Sequence, residues 1–248
     1  MLEHTFIHLP DIGPVRERQL WEDGIKTWDD FLERFGSSPG HRHHCRKVAS
    51  ARCALRAGDA VHFSQVLPST ETWRAFPHFR GVAYLDIETT GLGNGRDYIT
   101  VIGVFDGKRV RTYVHGHNLE HFRKDIQQYD MLVTFNGSQF DLPFIKGGMP
   151  GIRLPKLHVD LRFVLASVDV TGGLKRIEEK FGMEREGDIK GLDGYDAVKL
   201  WQKYKRRGDE AALDRLVRYN AADISNLKAL MEWAYGEKRK RTGFDGIP

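Results

Sequence analysis

Asp86 and Glu88 in AYLDIETTGL, Asp141 in FNGSQFDLPF, and Tyr219 with Asp223 in YNAADI are the residues of this chain best equipped for chemistry. Carboxylates that converge hold hard divalent cations, and magnesium or manganese suit an all-oxygen ligand set. A phenol beside such cations can orient a water molecule, or accept its proton, during attack on phosphorus. Each segment also has a plainer account. A DxE pair describes a solvated strand end, an acid in a helix's first turn follows from the helix dipole, and a Tyr/Asp pair suits a helix surface.

The elements around these residues decide whether they can meet. Val82–Glu88 reads as a strand, which puts Asp86 and Glu88 on one face and apolar Leu85 and Ile87 on the other. Thr89-Thr90-Gly91-Leu92 then turns the chain and exposes backbone N–H groups beside the acids. Met131–Phe135 is an apolar strand, Asn136-Gly137 a turn, and Ser138–Lys146 a short helix whose first turn carries Asp141 among Phe140, Pro143 and Phe144. A carboxylate in such apolar company wants a cation or a donor. Tyr219 and Asp223 lie four apart on a helix expected over Glu210–Tyr235, hence on one face.

Further strands are expected at Tyr98–Phe105, Arg109–His115 and Leu157–Asp160, with a hairpin at Asp106-Gly107. Helices are expected at Asn118–Gln128, Leu161–Ser167, Leu174–Phe181 and Ala197–Arg206. The order implies an α/β fold with a mixed five-stranded sheet flanked by helices. Asp160, at a strand end, reads as a helix cap or supporting group rather than a ligand.

Together the three segments resemble the DEDD exonuclease superfamily in its tyrosine subgroup: DxE, an NxxxFD-type second motif and YxxxD, in that order. GGLKRIEEKFG at 172–182, DIKGLDGYDAVKLW at 188–201 and YNAADISNL at 219–227 further resemble the YprB-like ribonuclease H-like domains. The second motif is also similar to that of family B DNA polymerase proofreading domains. The resemblance implies a ribonuclease H-like fold and a 3′→5′ exonuclease working through two divalent ions, Mg2+ or Mn2+. By it, Asp86, Glu88 and Asp223 bind one metal, Asp86 bridges to the second, Asp141 supports that one, and Tyr219 positions the attacking water. Thr89, Thr90 and Gly91 would hold the 3′ terminus, Leu92 would wedge against the terminal base, and Asn136 would touch the substrate backbone.

The remaining segments set the boundaries. Residues 1–36 carry LPDIGPVRERQLWEDGI, which resembles the second half of a helix-hairpin-helix motif, with Asp11 where glycine is usual. Its helices are expected at Val15–Glu22 and, capped by Thr27, at Trp28–Phe35. This small helical N-terminal extension has two readings, nucleic-acid contact or packing of Leu20, Trp21 and Trp28 on the main domain. Residues 37–80 read as a helical and irregular linker, with a helix over His41–His62; 81–236 form the exonuclease domain and 237–248 a basic tail. His41, His43, His44, Cys45 and Cys53 match no zinc spacing and read as a solvated helix face.

Composition narrows the partners. The 248 residues are 40% hydrophobic with a net charge of +4, and the pI near 9.0 suits a polyanionic partner. Two cysteines make no disulfide framework, and neither a signal peptide nor a transmembrane span is apparent. The expectation is a cytoplasmic exonuclease acting on single-stranded DNA, in DNA repair, without a membrane. The rivals are an exoribonuclease of the same fold and a non-catalytic nucleic-acid-binding or partner subunit.

Overall fold

The computed structural model describes residues 1–93, 95–183, 185 and 187–246. Its centre is a five-stranded sheet, β1 (Val82–Thr89), β2 (Ile99–Phe105), β3 (Val110–Val114), β4 (Met131–Thr134) and β5 (Leu157–Asp160), in the order β3-β2-β1-β4-β5. β1, β2 and β3 form an antiparallel meander, whereas β4 and β5 run parallel to β1. The β2–β3 hairpin closes at Asp106, whose Oδ1 accepts from the amides of Lys108 and Arg109, while Gly107 takes φ 87°. A register irregularity between Glu88 and Thr89 ends regular pairing at the acids.

Alternation along β1 sorts the two faces. Ala83, Leu85 and Ile87 pack with Ile102, Phe122, Ile126 and Ile145 on one side. Val82 and Tyr84 pack on the other, in a cluster shared with Leu227, Leu230 and Met231. The parity of β1 therefore puts Asp86 and Glu88 on the Leu227 side. The helices that follow the N-terminal region (below) are α5 (Phe122–Asp125), α6 (Asp141–Gly148), α7 (Leu161–Ala166), α8 (Leu174–Lys180), α9 (Gly194–Arg207) and α10 (Glu210–Thr242). An Asp193/Asp196 capping box starts α9, and Gly208 at φ 63° ends it. α10 carries a buried stripe, Leu216, Tyr219, Asn220, Asp223, Ile224, Leu227 and Leu230, and lies against β1 and β2. Tyr219 and Asp223 thus belong to its packed face, not to a surface pair.

The N-terminal region is part of the same core. α1 (Pro14–Glu22), α2 (Trp28–Phe35), α3 (Arg42–Ala57) and α4 (Ala60–Val66) precede a 3-10 segment over Ser69–His78. Trp21, Trp28, Phe31, Val48, Phe63 and Trp73 share one buried cluster with Val82, Met131 and Leu157 of the sheet. Glu17 and Arg74 pair within it at 2.9 Å, and Glu17 also accepts from the Phe6 amide at 2.7 Å. Trp21 and Trp28 donate their indole N–H groups to His4 O and Thr5 O. Asp11 takes φ 60°, the left-handed region that favours glycine.

Several boundaries differ from expectation for local reasons. The helix expected over 41–62 breaks at Gly58, φ 68°, and Asp59 caps a new helix through the His62 amide. The segment 118–128 holds only the four-residue α5 between short 3-10 turns. The helix expected from Ser138 starts at Asp141, because Asn136 and Ser138 instead give their amides to the Asp160 carboxylate. Residues 237–242 continue α10, and the last two residues of the expected basic tail lie outside the described residues. Among the described residues, no helix is long and apolar enough to cross a membrane.

Candidate active site

β1 delivers Asp86 and Glu88, and α10 lays Asp223 and Tyr219 over them. One oxygen each from Asp86, Glu88 and Asp223 lies within 4.8 Å of the others, the only such group among the described residues. Three acids this close repel one another unless a proton or a cation joins them. Their donor set, carboxylate oxygen alone, fits a hard divalent ion.

Asp141 reaches the same cleft from the start of α6. Its Oδ1 accepts from the Ile87 amide of β1 at 3.0 Å, which locks the helix start to the acid-bearing strand. It stands outside the three-carboxylate group but lines the cleft with Asp86, Glu88, Tyr219 and Asp223. The cleft has a volume of about 430 Å³.

The electrostatics follow from this crowding. Burial, then the charges of Asp141, Asp223 and Glu88, hold the Asp86 carboxyl well above the usual range, against the pull of a hydrogen bond from Asn220. Burial and then Asp223 do the same to Glu88. Burial pushes Asp141 up to about 7 despite its backbone donors. Asp223 rises only to about 6, because burial is opposed by the Arg185 guanidinium. Burial and the neighbouring acids also raise the Tyr219 phenol, which keeps its proton.

The expected substrate-contacting residues divide. Thr89, Gly91, Leu92 and Asn136 line the cleft, and Leu92 is 85% exposed. Thr90 does not line it. Its hydroxyl donates to Asp97 Oδ1 at 3.1 Å and accepts from the Tyr98 amide at 3.1 Å, tying the loop after β1 to the start of β2. Gly91 packs on that same Asp97, where a Cβ would come within 2.6 Å of the carboxylate. Asn136 sits at φ 64°, and its side-chain oxygen accepts from Arg162 at 2.6 Å. Asp160 caps α7 through the Arg162 amide, the capping role expected of it, and takes the Ser138 hydroxyl at 2.5 Å.

Three residues escaped sequence reasoning. Asn220, fully buried, donates from Nδ2 to Asp86 Oδ2 at 2.9 Å and so orients that carboxylate. It can do so because residue 103, paired with Asp86 on β2, is glycine: a Cβ there would lie 2.0 Å from Asn220 Oδ1. The YN pair was the available signal, since an Asn beside a site tyrosine on a buried helix face needs partners. Tyr195, in the first turn of α9, lines the cleft at 68% exposure with the Lys199 ammonium 4.4 Å from its ring centre. Arg185 pairs with both Asp223 and Glu178. Tyr195 lies within the 188–201 segment but is not singled out there, and Arg185 belongs to none of the quoted segments.

The sequence profile described as the RNase_H superfamily matches residues 83–235, which span every one of these site residues. The chain belongs to the RNase_H superfamily. No curated protein matches it. Among solved structures, the family B DNA polymerase from the hyperthermophilic archaeon Pyrobaculum calidifontis is 18% identical with a TM-score of 0.48, over 61% of this chain and 24% of the polymerase. The chain therefore spans about a quarter of that polymerase's length. Brucella melitensis NrnC bound to pGG is 18% identical with a TM-score of 0.44, over 73% of this chain and 86% of NrnC. The Aedes aegypti Nibbler EXO domain is 14% identical with a TM-score of 0.38, over 70% and 83%. In this RNase_H superfamily member the mixed sheet brings the strand acids and the helix acid together at one cleft.

Proposed function

We propose that this RNase_H superfamily member is a metal-dependent 3′→5′ exonuclease of the tyrosine-bearing DEDD subgroup, of YprB-like type, that hydrolyses the terminal phosphodiester of single-stranded DNA. The observation that carries the reading is the convergence of Asp86, Glu88 and Asp223 to within 4.8 Å, with Asp141 and Tyr219 on the same cleft. Asp86, Glu88 and Asp223 would hold one magnesium or manganese ion, and Asp86 with Asp141 a second. When bound, such a pair supplies charge stabilisation to the attacking and leaving oxygens of an in-line displacement.

The chain's own groups do the rest. Tyr219, beside Asp223, is placed to orient the attacking water or accept its proton; in the metal-free protein burial and the neighbouring acids raise its phenol. Asn220 fixes the rotamer of Asp86. Thr89 and Gly91 present backbone to a strand terminus, and Leu92 with Tyr195 offers exposed surface on which unpaired bases can stack. A paired end must fray before its last phosphodiester reaches acids this deep in a cleft, which favours a single strand.

The test is hydrolysis of a labelled single-stranded oligonucleotide, in magnesium and in manganese, by the wild type and by Asp86→Ala. The variant is expected to stay folded and lose essentially all cleavage. Full activity in Asp86→Ala would overturn the reading.

A further inference from the structure

Arg185 belongs to none of the three motifs, yet it touches α10, the helix that carries Tyr219 and Asp223. Its Nε and Nη2 grip Glu178 Oε2 at 3.1 and 2.6 Å, and Nη2 also donates to Asp223 Oδ1. Glu178 is itself anchored to α10, since its Oε1 accepts from Asn226 Nδ2 at 3.0 Å. The guanidinium carbon stands 5.2 Å from the centre of the Tyr219 ring. The side chain is only 7% exposed, and among the described residues its buried Nη1 has no hydrogen-bond partner. A guanidinium has five N–H donors in a rigid fork. Here one edge is committed to Glu178 and the Nη1 donors are unused.

We propose that Arg185 is a positioning residue that couples cation loading to phosphate binding: anchored on Glu178, its guanidinium holds Asp223 in the free protein, and on substrate binding turns its unused Nη1 edge to a phosphoryl oxygen. The inference rests on the nuclease reading above. Its physical basis is competition for one carboxylate. A guanidinium on Asp223 Oδ1 occupies a lone pair that a divalent ion needs, and its charge repels that ion at contact range. An anionic phosphate relieves both effects, because charge-assisted bonds from Arg to phosphate are strong and the fork suits them. Each ligand then raises the other's affinity, and the two enhancements are equal by linkage. The competing account, a salt bridge that merely staples α8 to α10, predicts no such coupling.

Equilibrium binding of Mn2+ to the full chain, read by the electron paramagnetic resonance of free Mn2+, separates the two. It is run with and without thymidine 5′-monophosphate as the phosphate probe. Arg185→Gln removes the guanidinium, and Glu178→Gln/Arg185→Gln does so without leaving Glu178 a buried, unpaired charge. Both variants are expected to bind Mn2+ about tenfold more tightly than wild type without nucleotide, a coupling of ordinary size. The factor by which the nucleotide strengthens Mn2+ binding is expected to shrink by a similar amount. Unchanged or weaker Mn2+ binding in the double variant, with only a fall in melting temperature, would overturn the proposal. If wild type and Asp86→Ala bind Mn2+ alike, the nuclease reading itself fails and takes this inference with it.

Discussion

Asp141→Asn makes the cost of assembling these acids measurable. The substitution keeps shape and leaves an oxygen to accept from the Ile87 amide, now 3.0 Å away, but removes one charge from the cleft. The folded carboxyl titrates near 7, against 3.8 for an ordinary aspartate. Between those values the folded state binds more protons than the unfolded chain, so stability falls as pH rises through the window and is whole only below it. About three units at 1.36 kcal/mol each set the contribution at about 4 kcal/mol, an upper value because the four acids share their protons. In a chain of this size that corresponds to roughly 8–16 °C in melting temperature. The assay is thermal unfolding by circular dichroism in EDTA from pH 4 to pH 8. Wild type should lose melting temperature across the range, and Asp141→Asn should lose less, matching wild type at pH 4 and exceeding it at pH 8. Hydrolysis by the variant should fall at the same time, as stability gained by removing a functional charge usually costs activity. Parallel pH profiles for the two proteins would refute the electrostatic account.

Other perturbations probe the supports. Gly103→Ala drives a Cβ to 2.0 Å from Asn220 Oδ1 and 3.0 Å from Ile224, so it should cost about 1–3 kcal/mol in denaturant unfolding and lower hydrolysis about 10- to 100-fold by freeing Asp86. Tyr219→Phe should lower kcat by about 100-fold or more with little change in KM, as measured in steady-state hydrolysis. Arg74→Met strands buried Glu17 in the core shared by the N-terminal helices and the sheet. It should cost about 3–5 kcal/mol, seen as a melting-temperature drop of roughly 10 °C, whereas a smaller loss would mean that the pair is not integral to that core.

The site acids could be read from sequence because each segment carries its geometry locally. Two residues on a strand or four on a helix share a face whatever the fold, so Asp86 with Glu88 and Tyr219 with Asp223 were legible as pairs. Their meeting depends on α10 crossing β1, which no local spacing encodes. The resemblance supplied that link, not the periodicity. Asn220 stayed hidden because its partner is 134 residues upstream and its space is made by a glycine in the middle of a strand. Arg185 stayed hidden because Glu178 and Asp223 meet only when α8 packs beside α10. The start of α6 shifted from Ser138 to Asp141 because Asp160, on another strand, captures the Asn136 and Ser138 amides first. Residues 37–80, expected to be a helical and irregular linker, bury Val48, Phe63 and Trp73 in the common core, a long-range packing that local spacing does not encode.

By the proposed function, the converged acids cut phosphodiesters from a 3′ end. A time course on 5′-labelled single-stranded DNA, with matched RNA and duplex, in magnesium or manganese, tests it most directly. The expected result is a ladder shortening one nucleotide at a time from the 3′ end of single-stranded DNA, faster than on RNA or duplex, and abolished in Asp86→Ala. Binding without cleavage by the wild type, or a ladder that persists in Asp86→Ala, would contradict it.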